Sequence, residues 1–271
     1  MMYYILTALL ILGVLALTYM WFEAGNLQLK RIRFTKSNKG LKIIHLTDIH
    51  INLLRVKPYK IKNIIDKESP DLILMSGDYI TRESDIPQFI RFLNEITGNS
   101  KVYMCFGNHD YEAFLSDKKG GFNRFLTEVE KQGVTVLHDD CEVFIKGGVK
   151  YNIIGITDYR RGEHDIDKAV KNCVKDAKLN IAITHNPDVV LEIPKGKIDY
   201  LFCGHFHGGQ IWMPFDLEFK VLRKEKLCKM GIKRGHHRLN GVDIYISNGL
   251  GNVLFPLRFL SRPEITVFYV T

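Results

Sequence analysis

Five short stretches of the chain carry side chains able to do chemistry. "HLTDIH" ends with Asp48 and His50, and "MSGDY" holds Asp78. "CFGNHD" holds Asn108, His109 and Asp110, "AITHN" holds His185, and "FCGHFHGGQI" holds His205 and His207. Singly, each has an ordinary explanation. An Asp after an apolar run more often caps a turn or a helix than binds anything. A lone His is usually a satisfied core or surface residue. Five such stretches in series, each closing an apolar run and each offering an oxygen or nitrogen donor, are not explained by caps. The donors are carboxylates, an amide and imidazoles, with no thiolate. That set suits Mn²⁺, Fe²⁺/³⁺ or Zn²⁺ rather than Ca²⁺ or an iron–sulfur cluster. The candidate ligands Asp48, His50, Asp78, Asn108, His185, His205 and His207 are too many for one tetrahedral ion. They fit two divalent ions about 3.5–4 Å apart that share a carboxylate. Gly204, Gly208 and Gly209 leave the backbone bare around the last pair, so one tight loop can serve both ions.

The elements that must position these residues read as buried strands. Apolar runs at 41–46, 71–76, 101–106, 151–156, 180–184, 200–203, 243–247 and 264–270 are continuous in Ile, Val and Leu, as in strands covered on both faces. Helical patterns lie near 58–68, 85–97, 121–132 and 164–177, the first ended by Ser69-Pro70. This predicts an α/β protein with a mostly buried sheet and no internal repeat. Every donor cluster falls where a strand gives way to a loop, the edge at which α/β sheets bind ligands.

The order D-x-H, G-D, G-N-H-D, H, G-H-x-H resembles that of the calcineurin-like metallophosphoesterases. It stands here as Asp48-x-His50, Gly77-Asp78, Gly107-Asn108-His109-Asp110, His185 and Gly204-His205-x-His207, over roughly residues 41–270. The resemblance implies a four-layer α-β-β-α sandwich. It also implies a metal-dependent phosphoric ester hydrolase that breaks a phosphodiester or pyrophosphate bond by attack of a metal-bridging hydroxide. Carried over, Asp48, His50 and His207 would hold one metal, Asn108, His185 and His205 the other, and Asp78 would bridge them. His109 would stabilise the developing charge or protonate the leaving oxygen, with Asp110 orienting it. The anchor described below, the "GHFHGGQI" extension and the terminal "SNGLG…RPEI" are similar to a membrane-anchored branch that includes UDP-diacylglucosamine pyrophosphatases.

The N-terminal stretch Tyr3–Phe22 is uncharged, apolar and of the length needed to span a bilayer. A cleaved signal peptide is the alternative. Against it stand the missing basic n-region and the bulky Tyr19, Met20, Trp21 and Phe22 where a small-x-small site would lie. Three segments result: an anchor at 1–22, a linker and first strand at 23–40, and the catalytic domain at 41–271. Lys30, Arg31, Arg33, Lys36 and Lys39 follow the span, so the positive-inside rule puts that domain in the cytoplasm.

At 46% apolar and 25% charged residues the chain reads as globular rather than disordered. Its net charge of +8 points to an anionic partner. Residues 220–238 alone hold eight Lys/Arg against Glu225, so the field is local. The segment reads either as a solvated loop or as a contact for phosphates or anionic lipid, with Lys233 and Arg234 as substrate residues. Residues 249–260, apolar around Arg258, read as core or as a lip for acyl chains, with Arg258 also a candidate substrate contact. The five cysteines lack close pairs and are expected to be free, buried thiols, which favours a reducing compartment. The expected substrate is a phosphate ester, with a lipid-linked one such as UDP-diacylglucosamine favoured by the anchor. A nuclease or general phosphomonoesterase using the same metals is the alternative, and the anchor argues against nucleic acid. A non-catalytic scaffold is a further alternative, opposed by the complete ligand series. No protein partner is inferable.

Overall fold

The computed structural model describes residues 1–35, 40–115, 117, 120–160 and 163–271. Lys36 and Lys39, and with them residues 36–39 of the expected linker, lie outside the described residues. In chain order the elements are α1 (Met2–Glu23), β1 (Gln28–Arg33), β2 (Leu41–Leu46), α2 (Pro58–Glu68), β3 (Leu72–Ser76), α3 (Ile86–Thr97), β4 (Val102–Cys105), α4 (Asn108–Glu112) and α5 (Gly120–Glu130). There follow β5 (Thr135–Val136), β6 (Asp140–Lys146), β7 (Val149–Gly155), α6 (Ile166–Lys171), β8 (Asn180–Ile183) and β9 (Tyr200–Cys203). The chain closes with α7 (Leu217–Leu222), α8 (Lys226–Lys229), β10 (Gly235–Leu239), β11 (Val242–Ile246) and β12 (Glu264–Val270).

The strands form two six-stranded sheets, ordered β1-β12-β2-β3-β4-β5 and β10-β11-β9-β8-β7-β6. Alternation within β2 shows why its apolar run is unbroken. Leu41 and Ile43 enter the layer between the sheets with Leu72, Leu74, Ile181 and Phe202, while Ile44 and Leu46 face an outer layer. That outer layer contains Ile61 and Ile65 of α2, Phe89, Leu93 and Ile96 of α3, and Phe125 of α5. The second sheet is covered on its far side by Ala169, Phe219 and Leu227 from α6, α7 and α8. The result is the four-layer α-β-β-α sandwich expected. Phe202 and Phe268 stack across the two sheets with centroids 4.0 Å apart. Fully burying each is worth about 1.5–3 kcal/mol.

The core strands explain how distant residues meet. β2, β3 and β4 run parallel in one sheet, and β7, β8, β9 and β11 run parallel in the other. Their C-terminal ends open on one edge, the edge at which α/β sheets bind ligands. α3 shows the local logic of a covering helix. Pro87 opens it, Phe89, Phe92, Leu93 and Ile96 bury one face, and Gly98 ends it at φ 53°.

α1 is 22 residues long, and it is long and apolar enough to cross a membrane. Its last turn is not free. Glu23 is buried and accepts the Ser261 N–H at 3.1 Å, and the Met20 carbonyl accepts the Arg258 N–H at 3.0 Å.

Two expectations are corrected by the fold. Cys141 on β6 and Cys173 just after α6 are joined by a disulfide, their Cα atoms 5.6 Å apart, while Cys105, Cys203 and Cys228 are free and buried. The pair is 32 residues apart in sequence, and only the β6–β7 hairpin and α6 bring it together. Residues 220–238 are also not one solvated loop. They include the end of α7, all of α8 and most of β10, because Leu227 and Cys228 are drawn under the second sheet.

Candidate dinuclear metal site

The loops after β2 and β3 are laced together by backbone. Asp48 N–H donates to Gly77 C=O and His50 N–H to Asp78 C=O, each at 3.0 Å, so the parallel ladder continues past the strands. Glycine is needed where loops press together: a Cβ on Gly204 would strike Asp48 and Thr47, and one on Gly107 would strike Asp78. Five of the donor residues hold left-handed backbone, Asp48 at φ 51°, His50 at 38°, Asp78 at 58°, His205 at 72° and His207 at 51°. That region is sparsely populated by residues other than glycine and costs of order 1–3 kcal/mol each.

The side chains form two buried groups. Donor atoms of Asp48, His50, Asp78 and His207 lie within 4.8 Å of one another, and so do those of Asp78, His185 and His205. Asp78 belongs to both. The His185 ring is fixed by its Nδ1 against the Ser76 carbonyl at 2.9 Å, which aims Nε2 at Asp78, also at 2.9 Å. The His205 ring has Nε2 on Glu225 at 2.9 Å, which turns Nδ1 inward. A carboxylate or carbonyl behind each imidazole sets the tautomer that presents a lone pair to the centre.

Protonation states match that reading at His50, His205 and His207. Burial pushes His50 and His205 down to about 3, and His207 well below its ordinary value. These rings are neutral at physiological pH. Burial alone would raise Asp78, but His185, His109 and His50 around it outweigh that and hold it well below the usual carboxylate range. Burial would lower His185, yet Asp78 and Asp48 raise it to about 10. One proton is thus held between Asp78 and His185, where a cation entering would displace it.

The donor set suits a divalent cation. Among the described residues, His50 Nε2, Asn108 Oδ1 and His207 Nδ1 are buried with no hydrogen-bond partner. An unmatched buried polar atom costs about 1–3 kcal/mol, so each of these calls for an explanation, and a bound cation supplies one for His50 Nε2 inside the first donor group. Asn108 is the first residue of α4, at the end of the loop after β4, and its side-chain oxygen is one of these atoms.

The other expected residues fall differently. His109 is beside the donors, its ring centroid 4.9 Å from that of His50, and its side chain is 28% exposed. It is the group of the set that faces solvent. Asp110 does not orient it. Its buried carboxylate accepts N–H bonds from Gly107, Asp78, Tyr79 and Ile80, clamping the loop after β4 to the loop after β3. Arg258 is not a substrate contact. It is fully buried, and its guanidinium donates to the carbonyls of Asn248, Gly249, Gly251 and Ser261. Lys233 is engaged by Asp216 at 2.6 Å, and Arg234 is exposed ahead of β10; neither lines the cleft beside the donors.

That cleft, of about 360 Å³, starts at His207 and is lined by Met213, Leu222, Arg223, Leu254 and Phe255 among others. The basic stretch stands out in the sequence, but Arg223 at the cleft and Glu225 behind His205 do not stand out within it. Both lie in the turn between α7 and α8, where folding selects them. Residues 249–260 divide: Leu250 is core, while Leu254 and Phe255 are exposed.

Residues 41–209 match the sequence model of the calcineurin-like phosphoesterases. Among curated proteins, the chain is 31% identical over 233 residues to "Uncharacterized metallophosphoesterase YkoQ" of Bacillus subtilis (strain 168), covering 85% of this chain and 83% of that protein. It is 30% identical over 256 residues to "Phosphodiesterase YaeI" of Escherichia coli (strain K12), covering 91% and 87%. It is 27% identical over 313 residues to "UDP-2,3-diacylglucosamine pyrophosphatase LpxG" of Chlamydia muridarum (strain MoPn / Nigg), covering 93% and 92%.

Proposed function

Since the chain belongs to the calcineurin-like phosphoesterase family, and is therefore a hydrolase, we propose that it cleaves a phosphodiester or pyrophosphate bond in a lipid-linked substrate at a membrane surface. The observation that carries this is the sharing of Asp78 between two buried donor groups. Asp48, His50 and His207 would hold one divalent cation, Asn108, His185 and His205 the other, and Asp78 would be shared by both. Mixed oxygen and nitrogen donors suit Mn²⁺, Fe²⁺/³⁺ or Zn²⁺. Such a pair, when bound, neutralises phosphoryl charge and brings the pKa of water toward about 7.

The chain's own residues do the rest. Glu225 and the Ser76 carbonyl keep the two imidazoles aimed. Arg223, at the mouth of the cleft, binds non-reacting phosphate oxygens. His109, partly exposed beside the donors, delivers a proton to the leaving oxygen. Met213, Leu222, Leu254 and Phe255 give the cleft an apolar wall suited to acyl chains. The relative named as a UDP-2,3-diacylglucosamine pyrophosphatase makes an acylated sugar nucleotide the substrate to try first.

The test is a panel on the full chain in detergent with Mn²⁺: nitrophenyl monoester, nitrophenyl diester, acylated UDP-sugar and single-stranded DNA. The acylated nucleotide is expected to be preferred. His109→Ala is expected to lower turnover about a hundredfold, with metal content and unfolding midpoint kept. Near-normal turnover in that variant removes His109 from the chemistry, and preference for a soluble ester or DNA removes the lipid-linked substrate.

α1 acts as a retained span, a reading supported by the docking of Glu23 and Met20 onto residues 258–261. Lys30, Arg31 and Arg33 after the span support a domain facing the cytoplasm. A second reading, with the domain on an oxidising face, is favoured by the Cys141–Cys173 disulfide. Alkylation of the chain, denatured straight from cells without reductant, decides. Five reactive thiols are expected of the first reading and three of the second.

A further inference from the structure

Two segments at the mouth of the cleft, one a loop and the other a loop running into α7, carry large apolar side chains exposed to solvent. Phe215 is 82% exposed, Val221 74%, Leu222 69%, Leu254 80% and Phe255 63%. A folded chain in water seldom gathers so many in one place unless a partner covers them. The two loops are bound together as one unit. Trp212 N–H donates to the Phe259 carbonyl at 2.9 Å, Phe259 N–H to the Gln210 carbonyl at 3.0 Å, and the Gln210 side chain bonds Val253 in both directions.

This unit is fastened to the end of α1. Arg258 N–H donates to the Met20 carbonyl, and the Tyr19 and Phe259 rings meet edge to face with centroids 5.9 Å apart. At 1.5 Å per residue, Tyr19 lies about 6 Å from Glu23 along the helix axis. That is within the roughly 5–10 Å to which interfacial apolar side chains sink below the headgroups. A helix that spans a bilayer and ends at Glu23 therefore carries the paired loops at the depth of one leaflet's surface. Lys220, Arg223 and Lys224 adjoin the apolar tips, as suits anionic headgroups.

We propose that the exposed apolar side chains of residues 212–222 and 253–260 form a lip that embeds in the leaflet from which α1 emerges, so that the metal cleft opens onto the lipid surface rather than onto bulk water. This rests on the reading of α1 as a retained span. It goes beyond anchoring, because an anchor on a slack linker leaves the cleft free to face anywhere. Here the orientation is fixed through Met20, Tyr19 and Phe259. The occupant of the apolar surface is lipid; a second copy or a soluble protein partner would leave Trp212 out of the acyl region.

The chain's two tryptophans, Trp21 and Trp212, make the test direct. Trp21→Phe leaves Trp212 as the reporter on the lip, and Trp212→Phe leaves Trp21 as the reporter on the span. Each full-length variant is reconstituted into phosphatidylcholine–phosphatidylglycerol vesicles with acyl chains either plain or brominated near the headgroup. The lip predicts that brominated lipid quenches Trp212 emission about twofold or more, the depth being that of interfacial insertion. Quenching of Trp21 without Trp212 overturns the lip and keeps the span. Quenching of neither overturns both, and quenching of Trp212 alone removes the span that fixes the orientation and so overturns the proposal as well. The readout does not involve turnover, so none of these results bears on the hydrolase reading.

Discussion

Asp78→Asn is expected to lower turnover of a soluble nitrophenyl diester about a thousandfold, the upper range for removing one preorganised electrostatic group. The substitution keeps shape. Its remaining oxygen can still accept the His109 N–H, which now bonds Oδ1 at 2.9 Å, and its own N–H can still donate to Asp110 at 2.8 Å. What it removes is one negative charge shared by two donor groups. Without that charge the site cannot hold two cations at close range, so metal content is expected to fall below two per chain. The unfolding midpoint should move little by comparison. Elemental analysis, turnover and thermal unfolding on one preparation check all three. Near-normal turnover with two metals in well-folded Asp78→Asn protein would remove the bridging role and with it the dinuclear mechanism.

Arg258→Met is expected to act in the opposite manner, on the fold before the chemistry. The guanidinium supplies donors to four buried carbonyls and to Asn252 Oδ1. Methionine keeps much of the volume and supplies none. Orphaned buried acceptors cost about 1–3 kcal/mol each, partly relieved by relaxation, so a loss on the order of 4 kcal/mol is expected. For a domain of this size that lowers Tm by roughly 10 °C. The effect should reach the site, because Gly251 N–H donates to the Asp48 carbonyl and Leu250 N–H to that of Thr47. A thermal scan beside KM measurement separates the two views of this residue. A large drop in Tm, whatever KM does, fits a structural clamp; unchanged stability with a raised KM would return Arg258 to the substrate.

How much of this was legible in the sequence depended on what kind of force places each residue. The donor loops were readable because buried parallel strands leave long apolar runs, and polar residues that interrupt such runs stand out. His185 and the His205–His207 pair were found on that signal alone. Asp110 misled for a geometric reason. It follows His109 in sequence, but successive residues on a helix point in different directions, so neighbours in the chain are not neighbours in space. Arg258 misled because its flanks are apolar and its partners are backbone carbonyls, which leave no mark in a residue pattern. Glu225 and Arg223 were masked by the surrounding positive charge. β6 and β10 were missed because they are edge strands, half exposed, without the apolar continuity of the inner ones.

The left-handed backbone at Asp48, His50, Asp78, His205 and His207 has a consequence for how this protein can change. Together these residues carry strain comparable with the whole net stability of an ordinary domain, about 5–15 kcal/mol. Glycine at any of them would relax the chain and delete a donor in the same stroke. Selection for heat resistance and selection for turnover therefore pull against each other at the same five positions. A library screened only for thermal survival would drift toward glycine there and return sturdy, inert proteins.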